Sequence, residues 1–398
     1  MNTQVLVINS GSSSIKYQLV DVATKESLAS GIVERIGLEM GTIKHEGPAG
    51  KTTLEQPVPD HDTGMQIVLR LFEEQGPKIE ESELAAVGHR VVQGGDVFAG
   101  PAIIDDTVLA QIDALSPLAP LHNPAHVAGI KAARHAFPNV AHVAVFDTAF
   151  HQTMPPAAYT YAIDREVAKA HSIRRYGAHG TSHLFVSKAT AEFLGKDVTE
   201  LNTIVLHLGN GASASAVQGG RCIDTSMGLT PLAGLVMGTR SGDIDPAVLF
   251  HLARVAGYTI DQLDDLLNRQ SGMLGLSGYT DMRDVHDANE AGDENVRTAL
   301  EVYYHRIKSY VGSYYAQLGH VDVITFTAGI GENDDIVRAG SLAGLEGLGI
   351  VLDLERNAGR KKEPTVISAD GSPVTVLVIP TNEELEIAQQ AVATIAAS

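Results

Sequence analysis

The apolar residues of this chain fall into short runs, each ending in a small polar or glycine-bearing turn. Val5-Leu6-Val7-Ile8 is continuous and apolar, the pattern of a strand covered on both faces, and Asn9-Ser10-Gly11-Ser12-Ser13-Ser14 predicts a polar turn after it. A second strand, Ile15 to Val20, follows at once. The same design returns half a chain later as Ile204 to Leu208, the turn Gly209-Asn210-Gly211 and the small-residue alternation Ala212 to Val217. Two strand-turn-strand units of one pattern predict a duplicated domain. A third run, Val321 to Phe326, leads into Ala328-Gly329-Ile330-Gly331-Glu332-Asn333, which reads as a glycine loop.

Helices fall between these strands. Met65, Val68, Leu69 and Phe72 keep a helical period, with Gly76 as a C-terminal stop. Val296, Leu300, Tyr303, Ile307, Val311 and Leu318 do the same over 294–318. Near the end, Val374 to Ile379 predicts a strand, Pro380 ends it, and Thr381-Asn382-Glu383-Glu384 has the Thr-x-x-Glu form of a capping box opening the last helix. That helix is expected to pack back on the first domain. Asn123-Pro124, flanked by His122 and His126, reads as an N-cap and first helical position. A domain boundary is expected near residue 150, where Pro155-Pro156 follows the strand Val143 to Phe146.

Length and composition narrow the class. At 398 residues the chain exceeds one ordinary core, so two domains with a central cleft are expected, and 44% hydrophobic with 39 glycines suits an α/β protein. A net charge of -19 argues against nucleic acid and anionic membrane as partners, since both select basic surfaces. An anionic ligand must then be met by a local cluster of Arg, Lys or His. The single cysteine, Cys222, cannot form an intrachain disulfide, and a reduced cytoplasm is the expectation. No apolar run approaches the ~18 residues of a membrane span, and Met1-Asn2-Thr3-Gln4 lacks the cationic start of a signal peptide.

Three glycine-containing turns after apolar strands, at 9–14, 209–211 and 329–333, suggest a phosphate site built from backbone amides. None matches a Walker loop or a dinucleotide fingerprint. Cationic candidates are Lys16, His89-Arg90, Arg174-Arg175, His179 and Arg240. Arg90 and Arg240, beside strand-ending or glycine-rich sequence, could each grip a carboxylate or phosphate, or form a surface salt bridge. His179 and His183 are four apart, as metal ligands on a helix can be, but Gly180 between them and the lack of a third ligand count against zinc. Asp147 ends the strand 143–146, where open α/β sheets put ligands, and it reads equally as a capping residue. Glu383 opens the last helix, where an acidic residue suits the helix dipole. Asp243 and Asp245 could hold a metal or cap a helix near Pro246.

Taken together, these segments resemble the acetokinase family. The resemblance is carried by Val7 to Ser14, by Asp224-Thr225-Ser226-Met227-Gly228 through Gly238-Thr239-Arg240-Ser241-Gly242-Asp243-Ile244-Asp245-Pro246, and by Gly88 to Val92, Val145 to His151, His179 to His183, Gly329 to Asn333 and Pro380 to Glu384. It implies a duplicated actin-like ATPase (ribonuclease H-like) α/β fold. The first lobe, 1–150 joined by 381–398, would bind the acid, and 151–380 would bind the nucleotide.

The resemblance implies Mg²⁺ (or Mn²⁺) at Asn9 and Glu383. ATP or ADP would lie among Lys16, His207, Leu208, Gly209, Asn210, Gly211, Asp281, Met282, Arg283, Gly329, Ile330, Gly331, Glu332 and Asn333. The acid would sit at Arg90, Val92 and His122, with Asp147, His179 and Arg240 at the reacting phosphoryl group. A cytoplasmic homodimer, paired through the second domain, is implied as well. Gln93 stands where many members carry His and Ala178 where some carry Phe, and 277–281 is one residue short.

A carboxylic acid of pKa ~4–5 is already ionised at pH 7 and needs no base to attack phosphorus. The expected reaction is therefore direct in-line transfer of the ATP γ-phosphoryl group to acetate. Arg90 would hold the acid, His179 and Arg240 would neutralise the transition state, and Asp147 would orient an Arg or a metal-bound water rather than abstract a proton. Propionate kinase is the alternative within the family. A sugar or glycerol kinase, with Asp147 as true base, and a non-catalytic nucleotide-binding module are the alternatives beyond it.

Overall fold

In the computed structural model, which describes residues 2–398, strand β1 (Gln4–Gly11) pairs antiparallel with β2 (Ser14–Asp21), leaving Ser12 and Ser13 as the turn. The predicted turn at 9–14 is thus shorter than expected, and Asn9 and Ser10 are strand residues. Pairing continues through β3 (Glu26–Glu34), β4 (Gly41–Gly47) and β5 (Gly50–Gln56) on one side. On the other side β6 (Leu84–Val91) runs parallel to β1, β8 (His142–Phe146) runs parallel to β6, and β7 (Ala102–Ile103) closes the edge. This sheet belongs to a compact unit made of the chain up to Gln152 and Asn382–Ser398.

Alternation along β1 decides what this sheet carries. Leu6 and Ile8 join a core with Met65, Val68 and Phe72 of helix α1 (His61–Gln75) and Ala132 and Ala133 of helix α2 (Asn123–Ala136). Their neighbours Val7 and Asn9 face the C-terminal helix Glu383–Ala396, as does Arg90 of β6. That helix packs on β1, β6 and β8. Gly88 is required there, since a Cβ on it would lie 2.9 Å from Ile387 Cγ2.

The second unit, Thr153–Thr381, holds a six-stranded sheet. Its strands are β9 (Asn202–Leu208), β10 (Ala212–Gln218), β11 (Arg221–Thr225), β12 (Val323–Thr327), β13 (Thr365–Val366) and β14 (Thr375–Val378). The order β11-β10-β9-β12-β14 matches β3-β2-β1-β6-β8 of the first unit, antiparallel through the first three strands and parallel through the last two. The duplicated actin-like fold implied by the resemblance is therefore present in the topology itself. Helix α3 (Gly180–Leu194) packs on β9 and β12, helix α4 (Met282–Glu290) on α5, and the long helix α5 (Glu294–Leu318) on β9 and β10.

Three local expectations are corrected. Ala328–Asn333 is a short helix, α6, rather than a loop. Glu332 folds its carboxylate back to accept from the Ala328 N–H at 2.8 Å, capping a turn that the glycines alone would leave open. The last helix is capped by Asn382, whose side chain accepts from Leu385 N–H, because the Thr381 hydroxyl is engaged with Ser182 at 2.8 Å. At the start of α2, His122 holds the N-cap position and Asn123 is helical. The Asn123 amide instead donates to Gln93 O and Ile112 O and accepts from Gln93 N–H, clamping the segment that leaves β6.

Candidate active site

The first unit gathers its polar residues where its parallel strands end. Asn9 on β1 and Lys16 on β2 are register partners and point to one face, Arg90 ends β6, and Asp147 follows β8 directly. Asp147 is fully buried and accepts from Arg90 Nη2 at 2.6 Å and from Nε at 3.1 Å. Glu383 stands 3.9 Å from Arg90 Nε, and Lys16 is ion-paired with Glu384. Burial works against the Arg90 charge, but Asp147 and then Glu383 outweigh it and hold the guanidinium above its ordinary pKa. Burial, the largest influence, pushes the Glu383 carboxyl up to about 7, and Arg90 opposes that shift.

Asn9, Lys16, Arg90, Glu383 and Glu384 line one small pocket. An amide oxygen and a partly buried carboxylate are the hard donors that magnesium takes, and a carboxyl pushed up by burial is stabilised as its anion by an adjacent cation. The two residues therefore fit the group. Among the described residues no three His, Cys, Asp or Glu side chains form a metal cluster, and magnesium with one carboxylate plus phosphate and water needs none. Val92 is buried at 6% exposure, and His122 lies at the start of α2.

In the second unit, His179 is the N-cap of α3 and holds left-handed backbone angles, φ 58° and ψ 19°, rare for a residue with a Cβ. Its ring stacks on His207 with centroids 4.3 Å apart. An ideal Cβ on Gly211 would lie 3.6 Å from His179 Nε2 and 3.6 Å from Arg240 Nη1. The bare glycine thus marks a point on which imidazole and guanidinium converge. Gly238 is equally constrained, since its N–H donates to Asn210 O at 2.9 Å and a Cβ on it would overlap the Asn210 side chain.

Beside this point a cavity of about 550 Å³ brings together Asn210, Asp281, Met282, Arg283, Gly329, Ile330 and Asn333. That volume suits a nucleoside-sized ligand. Asp281 caps α4 by accepting from Arg283 N–H at 2.9 Å. His286, Asp334, Ile336 and Arg360 line the same cavity and were not singled out from sequence. His286 and Asp334 are 2.7 Å apart, and that hydrogen bond raises the imidazole pKa. The i, i+4 spacing from Met282 was the available signal for His286. His207 and Glu332 are not among the residues lining this cavity and are bonded to Ser182 and to Thr381 N–H respectively. Leu208 is fully buried, Gly209 donates from its N–H to Gly211 O, and Gly331 O accepts from Arg338.

Other sequence candidates have structural duties. Arg175 donates to Thr225 O, Ser226 O and Met227 O, and Arg174 lies over the Tyr159 ring. His89 donates to or accepts from His142 at 2.9 Å in the core. Asp245 accepts from Ala247 N–H, and Asp243 accepts from Gly234 N–H and Tyr310. His183 turns both ring nitrogens to serines, Ser213 and Ser215, rather than to an ion.

Comparison with known proteins extends this picture. The model of the acetokinase family matches residues 4–389. An acetate kinase of Clavibacter sepedonicus is 62% identical over 389 residues, covering 98% of each chain. The solved acetate kinase of Porphyromonas gingivalis superposes with TM-score 0.95 at 42% identity, covering 99% of this chain and 100% of that one. A propionate kinase from Francisella tularensis superposes with TM-score 0.91 at 41% identity, covering 98% of each.

Proposed function

The chain belongs to the acetokinase family, and from that premise we propose that it transfers the γ-phosphoryl group of ATP reversibly to acetate, giving acetyl phosphate and ADP. The observation that carries this reading is the Arg90–Asp147 pair. A kinase for sugars or glycerol needs a carboxylate free to take a hydroxyl proton, whereas Asp147 spends its oxygens on Arg90. An acceptor that arrives as an anion needs no base and does need a fixed cation. Arg90, braced by Asp147, supplies it.

In this mechanism the first unit holds the acid at Arg90, with Val92 and His122 as pocket residues. The second unit holds the nucleotide among Asn210, Asp281 to Arg283 and Gly329 to Asn333, with His207 and Leu208 to Gly211 assigned to the phosphate side; Lys16, a residue of the first unit, is assigned to ATP as well. Attack is in line, and the chain's contribution is positioning and charge stabilisation. His179 and Arg240 donate to the equatorial oxygens of the transferring group, whose transition state spreads negative charge over them. Magnesium or manganese, held by Asn9 and Glu383, would neutralise phosphate charge when bound. His179 and Arg240 must remain donors throughout, and Asp147 moves no proton.

Relatives named as acetate kinases favour acetate over propionate. One methylene changes discrimination by only ~10–200-fold, so substrate comparison is the test. An ADP-release assay with acetate, propionate, butyrate and glycerol as acceptors should give the highest kcat/KM with acetate and no rate with glycerol. A higher kcat/KM with propionate would move the chain to the alternative.

A homodimer is part of the reading. Phe250, Val255 and Ile260 are 57%, 72% and 84% exposed within 247–260 of the second unit, a density of apolar side chains that a partner copy would cover. Light scattering of the eluted protein tests it, and a monomeric mass at micromolar concentration would refute it. No helix among the described residues is long and apolar enough to cross a membrane. ATP as co-substrate points to the cytoplasm.

A further inference from the structure

The histidine pair at i, i+4 on α3 meets a serine pair at i, i+2 on β10, and the two spacings interlock. Ser213 Oγ lies 2.9 Å from His179 Nδ1 and 2.8 Å from His183 Nε2, and Ser215 Oγ lies 2.8 Å from His183 Nδ1. Ser213, Ser215 and His183 are each fully buried, at 0% exposure. A single hydroxyl therefore sits between two imidazoles and has one proton to give. Whichever ring receives it, the other must donate to the same oxygen.

Resting on the reading that His179 donates to the transferring phosphoryl group, we infer that Ser213 and His183 are positioning residues that fix which His179 nitrogen carries the proton. Ser215 O–H donates to His183 Nδ1, His183 Nε2–H donates to Ser213 Oγ, and Ser213 O–H donates to His179 Nδ1. The only proton left on the neutral His179 ring is then on Nε2. That is the nitrogen beside Gly211 that shares its space with Arg240 Nη1. The reverse order would leave an Nε2 lone pair facing phosphate oxygens, which repels what Arg240 attracts. Stacking on His207 fixes the ring plane but cannot choose between its nitrogens.

The wild-type protein, labelled with ¹⁵N in its histidine rings, tests this directly by long-range ¹H–¹⁵N correlation, with the His179 signals assigned by their loss in His179→Gln. Expected is a neutral His179 with its proton on Nε2 and a bare Nδ1, and the same tautomer at His183. A proton on His179 Nδ1 overturns the inference. Ser213→Ala should then mix the His179 tautomers and lower kcat by ~10–100-fold, the loss typical of removing a supporting hydrogen bond behind a reactive group, with KM for ATP and acetate nearly unchanged. Ser213→Thr restores the hydroxyl and should restore most of kcat. If either Ser213 variant fails to fold, Ser215→Ala, one link further away, should shift the same signals in the same direction. An active wild type with an unchanged Ser213→Ala would sink the relay alone. An inactive wild type would sink the proposed function and leave the tautomer assignment standing.

Discussion

Replacing Asp147 with Asn removes one negative charge from a fully buried site while keeping the shape of the side chain. In the native protein Asp147 receives Arg90 Nη2 at 2.6 Å and Nε at 3.1 Å and 3.3 Å, so both donors on one edge of the guanidinium are held by carboxylate oxygens. An Asn oxygen in the place of Oδ2 can still accept from both donors, but its N–H turns towards Nε where Oδ1 accepted, and the neutral amide weakens what remains. A hydrogen bond to a charged group contributes ~1.5–3 kcal/mol, so losing one and weakening the rest gives ~3 kcal/mol in all. Arg90 is 22% exposed in its side chain, and water and Glu383 recover part of that. An effect of ~2–3 kcal/mol, or ~30–150-fold in kcat/KM for acetate, is the expected outcome. Initial rates by the hydroxamate method, with acetate and ATP varied separately, resolve it. KM for ATP should stay near wild type, because Arg90, the residue that Asp147 braces, is assigned to the acid and not to the nucleotide. Full activity in Asp147→Asn, or equal damage to both substrates, would refute the orienting role.

Three further outcomes follow from the same geometry. Arg240→Ala should lower kcat by a factor on the order of 10³, by comparison with arginine fingers, and a loss below ~10-fold would remove it from the reacting group. Gly211→Ala should fold normally, since its Cβ meets ordinary contact distances of 3.5–3.6 Å, yet lower kcat by ~10-fold or more by filling the point on which His179 and Arg240 converge. Burial holds His89 well below its ordinary pKa, depresses His142, and lowers His126 to about 3. These folded-state values lie under the unfolded ~6.5, so the unfolded chain binds protons first. Stability should fall as pH drops from ~6.5 towards 3, by up to ~1.4 kcal/mol per pH unit for each group, and a melting temperature flat between pH 7.5 and 5 would contradict it.

What was legible in the sequence was whatever rests on local period. The β1–β2 and β9–β10 hairpins, α1 and α5 follow from alternation or helical spacing, and their repetition exposed the duplication. What failed depended on distant partners. Six residues are too few to show a helical period, so α6 was read through its glycines, and the carboxylate of Glu332 that caps it gives no local signal. Thr381 has the right type and spacing for a cap, but its hydroxyl meets Ser182, 199 residues away in sequence. The i, i+4 pair His179 and His183 is set aside as a metal site, but nothing local names Ser213 and Ser215, the partners of His183, which lie at least 30 residues on. The cationic candidates carried no local sign of which would be structural, and Arg175 became a carbonyl clamp.

The duplication also explains why the strand-end positions of the two units, as distinct from His179 and Arg240, answer to different kinds of substitution. Both sheets carry polar or glycine-rich segments at the carboxyl ends of their parallel strands, Asn9, Arg90 and Asp147 in one, and the 207–211 segment, α6 and Thr381 in the other. One backbone plan thus offers equivalent positions twice. In the first unit those positions carry charged side chains that brace one another, so function there is sensitive to charge at constant shape, as in Asp147→Asn. In the second unit the equivalent places are largely glycine and main chain, where Gly211 and Gly238 leave room for neighbouring groups. Sensitivity there is to a single added Cβ at constant charge. Asp147→Asn and Gly211→Ala each test one half of that division, and it fails if Gly211→Ala proves neutral while charge-neutral changes in the first unit prove damaging.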